Sequence, residues 1–325
     1  MLQIQVIEAI AMKKVLFIDE VHPALMDQLL AAGFSCDFPT DWTLQDYLLN
    51  LPQYQGVVIR SKFKFDKPVI DRALQLKFIA RFGAGMENID VDYAQSKGIK
   101  CLHAPEGNKD AVGEHALGML LALMNNLCRA DREVRKGIWK REPNRGVELS
   151  GKVVGIIGFG NMGTAFAQKI SGFGCEVLVY DKYKKGFGQQ FSSVKKVEMD
   201  TLFEKAEVVS LHLPLTAETK ALVDMTWIEK FRKSFYFINT ARGPIVKTDA
   251  LVKGLKSGKV VGACLDVSEF ESTSFEQFNA PSDEAAYQYL LSSDRVLLSP
   301  HIAGWTHESN LKMANALAQK IIALT

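Results

Sequence analysis

The first chemistry legible in this chain is the binding of a dinucleotide. Residues 153–163 read VVGIIGFGNMG: an apolar run ends in Gly158-Phe159-Gly160-Asn161-Met162-Gly163, and the helical pattern TAFAQKI follows. Gly158 permits a tight turn, Gly160 lets backbone N–H groups approach a pyrophosphate, and Gly163 lets helix and strand pack closely. The helix N-terminus then favours the phosphate charge. The next apolar run, EVLVYD, ends in Asp181, 18 residues past Gly163. That is near the position from which an acid hydrogen-bonds the ribose 2′-hydroxyl. Its charge would repel a 2′-phosphate, which favours NAD over NADP, although Lys182, Lys184 and Lys185 follow at once and would soften the repulsion. A nicotinamide cofactor in turn needs a group that moves a proton while the hydride moves, and a cation to hold an acidic substrate. Three later segments offer them at the ends of strand-like runs. Arg242 follows SFYFINTA, Asp266 ends VVGACLD with Glu269 and Glu271 just beyond, and His301 follows VLLSP. Ligands of open α/β sheets bind at such strand ends. Alone, each residue reads as an ion-pair partner or a structural group. After a dinucleotide motif, the set reads as an active site.

The elements that must position these residues alternate between short apolar runs and helical patterns, the signature of parallel sheets covered on both faces. In the first third, strands are expected at Val15–Ile18, Val57–Arg60, Phe78–Arg81 and Lys100–Leu102, with helices at Ala24–Ala32 and Pro68–Ala73. One long helix is expected over Lys109–Lys136, with Ala116, Leu117, Leu120, Leu121 and Met124 on its apolar face. The polar stretch KGIWKREPNRGVELSGK reads as a connector. A second sheet follows at Val153–Ile157, Val177–Tyr180, Val208–Leu211, Ser234–Ile238, Val260–Leu265 and Val296–Leu298. The last helix, Thr306–Leu324, has no strand after it to pair with.

Bulk properties agree with this reading. A length of 325 residues suggests two domains. The net charge of +2, from 39 Lys+Arg against 37 Asp+Glu, argues against a nucleic-acid binder. The five cysteines are scattered and the six histidines form no cluster. Neither a disulfide framework nor a metal site is expected, and the pattern suits a reducing cytoplasm. The longest apolar stretch, Ala116–Met124, falls well short of the roughly 20 residues of a membrane span. At the N-terminus, Glu8 interrupts the apolar run, no basic residue precedes it and no small-residue cleavage site follows. A signal peptide is not expected there. Residues 1–11 read as an extension, with the folded part opening at Met12.

From Met12 onward the chain resembles the D-isomer-specific 2-hydroxyacid dehydrogenases, and among them the phosphoglycerate dehydrogenases most. The resemblance rests on Gly158–Gly163, HLPLTAETK from His212, NTARGPIV around Arg242, the strand ending at Asp266, and PHIAGWT around His301. It implies an α/β fold of two doubly wound parallel-sheet domains. A Rossmann-type NAD-binding domain, 109–301, would be inserted in a flavodoxin-like substrate domain, 12–108 plus 302–325. The catalytic set would be Arg242, Glu271 and His301, the Glu standing five residues after the strand-end Asp and so Glu271 rather than Glu269. His301 would exchange a proton with the substrate oxygen, Glu271 would fix the imidazole tautomer, and Arg242 would hold the substrate carboxylate. Asp266 would meet the nicotinamide end of the cofactor, whose other contacts would be Gly158 to Gly163, Asp181, His212, Pro214, Thr240, Ala241 and Gly304. In the first domain, the loop Arg81–Asn88 would bind the substrate carboxylate through Ala84 and Gly85. Glu87 replaces the Asp common in the family. The Lys109–Lys136 helix would bridge the domains and build a two-fold homodimer.

The substrate would be a small anionic 2-hydroxy or 2-oxo acid. Arg60, Lys62, Lys64 and Arg81 form a local basic cluster suited to a phosphate, and Arg141, after Trp139, is a candidate to reach a partner's site. The resemblance then implies 3-phosphoglycerate and 3-phosphohydroxypyruvate, in serine biosynthesis, by a short form without a C-terminal regulatory domain. Glyoxylate/hydroxypyruvate reductase and D-lactate-type dehydrogenase are the alternatives, and an NAD(H)-sensing corepressor-like protein is a distant one. Residues 272–295 depart from the family's short link and read as a surface helix bearing Tyr287, Tyr289 and Leu290.

Overall fold

The computed structural model describes residues 13–184, 186, 194–271 and 285–324, so the 1–11 extension, Lys185 and the first part of the 272–295 segment lie outside the described residues. The chain divides into two compact units, one built from residues up to Gly107 and from Asn310 onward, the other from Asn108–Ser309.

The first unit holds β1 (Lys13–Phe17), β2 (Phe34–Asp37), β3 (Gly56–Ile59), β4 (Phe78–Arg81) and β5 (Lys100–His103). They form a parallel sheet in the order β2-β1-β3-β4-β5, the flavodoxin-like arrangement. GVVI of β3 and FIAR of β4 are buried throughout, as strands covered on both faces must be. Leu16, Ile59, Phe65 and Ile79 build the core on one side. On the other, Val15, Phe17, Val58 and Phe78 pack with Met313, Leu317 and Ile321. Those three come from the final helix, His307–Ile322, which therefore closes the first sheet. The division between units falls inside this helix, between Ser309 and Asn310, rather than at residue 302.

The second unit holds β6 (Val153–Ile157), β7 (Glu176–Tyr180), β8 (Val194–Lys196), β9 (Val208–Leu211), β10 (Phe235–Asn239), β11 (Val260–Leu265) and β12 (Val296–Leu298). Their order is β12-β11-β10-β9-β6-β7-β8, all parallel. The chain winds outward from β6 to β7 and β8, then returns to β9 on the other side of β6. Between β6 and β9 lies the switch point at which doubly wound sheets bind their ligands. Phe235, Phe237 and Leu255 fill one face, and Ile156, Phe166 and Ile238 fill the other with Leu120 and Met124.

Two sequence expectations change. The single helix over Lys109–Lys136 is two helices, Pro105–Met124 and Leu127–Arg135. Asn126 breaks it with φ 53°, a left-handed conformation that Asn tolerates better than most residues. The Val147 N–H bonds the Met124 carbonyl at 3.0 Å, which occupies an acceptor at the helix end. The strands β2 and β8 were not anticipated. Both lie at sheet edges, where SCD and VKK can pair without the long apolar run of an interior strand.

Candidate active site

The glycine loop leaves β6 at Gly158, whose φ of 91° favours glycine. A Cβ there would come 2.4 Å from the His212 carbonyl oxygen beyond β9, and one on Gly163 would come 2.0 Å from the Gly158 carbonyl. These two glycines are demanded by packing. Gly160 differs: it caps the helix Asn161–Ile170, and a Cβ on it would meet nothing within 4 Å. Open space thus adjoins the helix N-terminus where a pyrophosphate would lie.

Asp181 follows β7 and fastens this loop. Its Oδ2 accepts the Phe159 N–H at 2.7 Å, and its Oδ1 accepts those of Tyr183 and Lys184 at 2.9 and 2.8 Å. Burial acts to raise its pKa, but the backbone bonds and the Lys184 charge outweigh burial and hold it below the ordinary Asp value. The neighbouring lysines have other partners. Lys182 pairs with Glu218, and Lys184 donates to the Phe159 carbonyl at 3.1 Å while lying over that ring.

Past β9, His212 sits with Nε2 2.8 Å from the Ser210 hydroxyl, and desolvation pushes its pKa down to about 3. Among the described residues its Nδ1 has no hydrogen-bond partner, nor have the buried Thr240 Oγ1 past β10 and Asn108 Oδ1. Buried polar atoms are nearly always satisfied, so the orphans of His212 and Thr240 at strand ends, with that of Asn108 on the helix Pro105–Met124, fit the polar edge of a bound cofactor. Pro214 accepts the Thr219 hydroxyl at 2.7 Å, and the Ala241 N–H bonds Asn239 Oδ1 at 3.0 Å. A Cβ on Gly304 would come 2.6 Å from Asn108 Nδ2.

The candidate proton-moving group lies where β10, β11 and β12 end. Arg242 is half-buried, and its Nη1 donates to the Ala241 carbonyl at 2.6 Å. Gly243 sets this loop directly against the next, since a Cβ there would lie 1.8 Å from the Ser268 carbonyl oxygen. His301 Nδ1 lies 2.8 Å from Glu271 Oε2, while Glu271 Oε1 accepts the Ser268 N–H at 2.5 Å. Glu269 is exposed and accepts the Thr248 N–H at 3.4 Å. Of the two acids, Glu271 meets the histidine. A carboxylate on Nδ1 keeps that nitrogen protonated and leaves Nε2 for exchange.

Asp266 sits beneath the turn that carries His301. It is 1% exposed. Its Oδ1 accepts the Ser299 hydroxyl at 2.6 Å and the Ile302 N–H at 2.9 Å, and its Oδ2 accepts the Ala303 N–H at 2.9 Å.

In the first unit, Gly83 has φ 151° and the Arg81 guanidinium lies across it, Nη1 only 1.6 Å from where a Cβ would stand. The Ala84 carbonyl lies 2.6 Å from His103 Nδ1, and Gly85 is partly exposed. The N–H groups of Arg60, Ser61 and Lys62 all donate to Asp19 Oδ2, at 2.6, 3.2 and 3.3 Å. The Arg60 carbonyl accepts from Asn88 Nδ2 at 3.3 Å, and the Lys62 ammonium donates to the Tyr47 hydroxyl at 3.1 Å. Sequence reasoning missed Asp19, His103, His115, Ser210 and Ser299. Asp19 carried a usable signal, an acid closing the strand-like VLFID as Asp181 closes EVLVYD.

A doubly wound unit with a glycine loop, an acid after the second strand and a histidine–carboxylate pair at its strand ends defines a dinucleotide-dependent dehydrogenase. Residues 117–303 match the family described as D-isomer specific 2-hydroxyacid dehydrogenase, NAD binding domain. The chain belongs to that family, and its cofactor is NAD. It is 35% identical over 309 residues to a D-3-phosphoglycerate dehydrogenase of Archaeoglobus fulgidus, covering 95% of this chain and 56% of that one. To a glyoxylate reductase of Thermofilum pendens it is 36% identical over 291 residues, covering 87% and 83%. A solved D-lactate dehydrogenase from Aquifex aeolicus, complexed with NAD and lactic acid, superposes with TM-score 0.81 at 27% identity, covering 95% of each chain.

Proposed function

We propose that this protein transfers a hydride between NAD and a D-2-hydroxy acid/2-oxo acid pair. The observation that carries the reading is the 2.8 Å His301–Glu271 pair in the same unit as the glycine loop. NAD supplies or accepts the hydride when bound. His301 Nε2 gives a proton to the carbonyl oxygen in reduction and takes it back in oxidation, and Glu271 holds the ring. Arg242 clamps the substrate carboxylate and polarises the adjacent carbonyl. The loop Gly158–Gly163 and Asp181 hold the pyrophosphate and ribose. His212, Pro214, Thr240, Ala241, Asp266 and Gly304 serve the rest of the cofactor, and the first unit is the substrate-binding domain.

For the substrate we favour 3-phosphoglycerate. Ile59, the residue before Arg60, pairs in register with Arg81, which sets the two arginines at adjacent strand ends beside Ala84 and Gly85. The similarity to a phosphoglycerate dehydrogenase supports this. A glyoxylate or hydroxypyruvate substrate is favoured by Asp19, whose carboxylate already accepts the N–H groups of residues 60–62 and so sets an acidic group where a phosphate would need those donors. A homodimer through the NAD unit is supported by the exposed Leu127, Val134 and Trp139. A reducing compartment such as the cytoplasm is supported by five free thiols. Among the described residues no helix is long and apolar enough to cross a membrane.

The test is a steady-state panel of phosphorylated and plain 2-oxo acids with NADH and NADPH, with His301→Ala as control. Turnover is expected with NADH, falling about 10²- to 10⁴-fold in the variant while NADH still binds. Undiminished turnover in His301→Ala would overturn the mechanism. Arg60→Ala should raise KM selectively for a phosphorylated acid, and an equal effect on both classes would favour the second reading.

A further inference from the structure

We propose that His115 is a positioning residue for the catalytic turn, acting on His301 through Ser299 and Asp266. The inference rests on the reading of His301 given above. His115 lies on the helix Pro105–Met124, far in sequence from the residues that it meets. Its Nε2 stands 2.9 Å from the Ser299 hydroxyl and 3.5 Å from Asp266 Oδ1, within the second unit.

The protons of this cluster can be counted. Ser299 has one hydroxyl hydrogen, and the carboxylate oxygen 2.6 Å away only accepts. That hydrogen therefore goes to Asp266. Ser299 must then accept from His115, which fixes the hydrogen of His115 on Nε2. The other neighbour of the Ser299 hydroxyl, Met119 Sδ at 3.6 Å, is a weak acceptor and cannot replace the donor.

The result is an ordered chain: His115 donates to Ser299, which donates to Asp266. Asp266 in turn holds the turn from three sides. Its side chain takes the Ile302 and Ala303 N–H groups, and its own carbonyl takes the His301 N–H at 2.7 Å. His301 is held at φ 54°, a conformation that a histidine keeps only when its surroundings impose it. Glu271 orients the ring from one side, and the chain from His115 orients the backbone from the other.

The test combines turnover with histidine-selective ¹⁵N NMR of the full chain. His115 is expected in the Nε2–H tautomer. His115→Leu and Ser299→Ala should each shift the His301 resonances and lower kcat about 10- to 100-fold, with KM and NADH affinity near wild type. The double variant should be no worse than either single one, because both cut the same chain. His115→Gln, which keeps an N–H donor at the same reach, should restore most of kcat. An Nδ1–H tautomer, or unmoved His301 resonances in both single variants, would overturn the proposal. So would a uniform loss of kcat, NADH affinity and thermal midpoint that Gln does not rescue. A wild-type protein that reduces no 2-oxo acid sinks the functional reading, and the NMR result then decides this one alone.

Discussion

The left-handed φ of His301, 54°, costs roughly 1–3 kcal/mol for a side chain with a Cβ, and the turn bears that cost to aim one imidazole. Glu271 completes the aim through a 2.8 Å contact, whereas Glu269 stands on the Thr248 N–H. Glu271→Ala is therefore expected to cut kcat about 10- to 100-fold, while Glu269→Ala leaves it within about twofold. Steady-state kinetics on the two variants checks this, and equal losses would refute the assignment. A second residue-scale prediction concerns His212. Its pKa is about 3 in the fold against 6.5 ordinarily, so between these values the unfolded chain binds a proton that the folded chain does not. Stability must then fall as pH drops below about 6.5 toward 3, on the order of 2 kcal/mol by pH 5 for this group. His212→Asn should shrink the difference between urea midpoints at pH 7 and pH 5. An unchanged difference would place the acid sensitivity elsewhere.

At the scale of elements, the glycine loop makes a clean separation between folding and binding. A Cβ on Gly163 strikes the Gly158 carbonyl, while one on Gly160 enters open space. Gly163→Ala is expected to lower the thermal midpoint by several degrees. Gly160→Ala should keep that midpoint and lose NADH affinity at least tenfold, as read by fluorescence titration. Equal effects on the midpoint would contradict this division. The interior strands were legible because both-face burial writes a continuous apolar word: VVGII, VVSL and FIAR are all at their expected positions. The edge strands β2 and β8 carried no such word. The break at Asn126 was hidden because the left-handed kink answers to a contact with Gly146 and Val147, which periodicity cannot see. The candidate site divides the same way. Residues in motifs, such as Asp181, Arg242 and His301, could be picked out from their neighbours in sequence. His115 and Ser299 could not, because their meaning lies in a contact 184 residues apart in the chain.

At the scale of the whole molecule, the two units keep separate cores, and the final helix belongs to the first. Leu317 and Ile321 are fully buried among Val15, Phe17 and Phe78. Leu317→Ala is expected to cost the first unit about 2–5 kcal/mol and to leave NADH affinity near wild type. Hydrogen exchange should show the loss confined to residues 13–107 and the end of that helix, and equal deprotection of both units would count against the division. The same feature sets an order on synthesis. A ribosome delivers every residue of the NAD-binding unit before it delivers Leu317 and Ile321. The first sheet is begun before the NAD-binding unit and completed after it. Until that helix is made, β1 and β3 lack the cover of Met313, Leu317 and Ile321, so the first sheet waits through the whole NAD-binding unit with apolar surface open to misassembly and to chaperones.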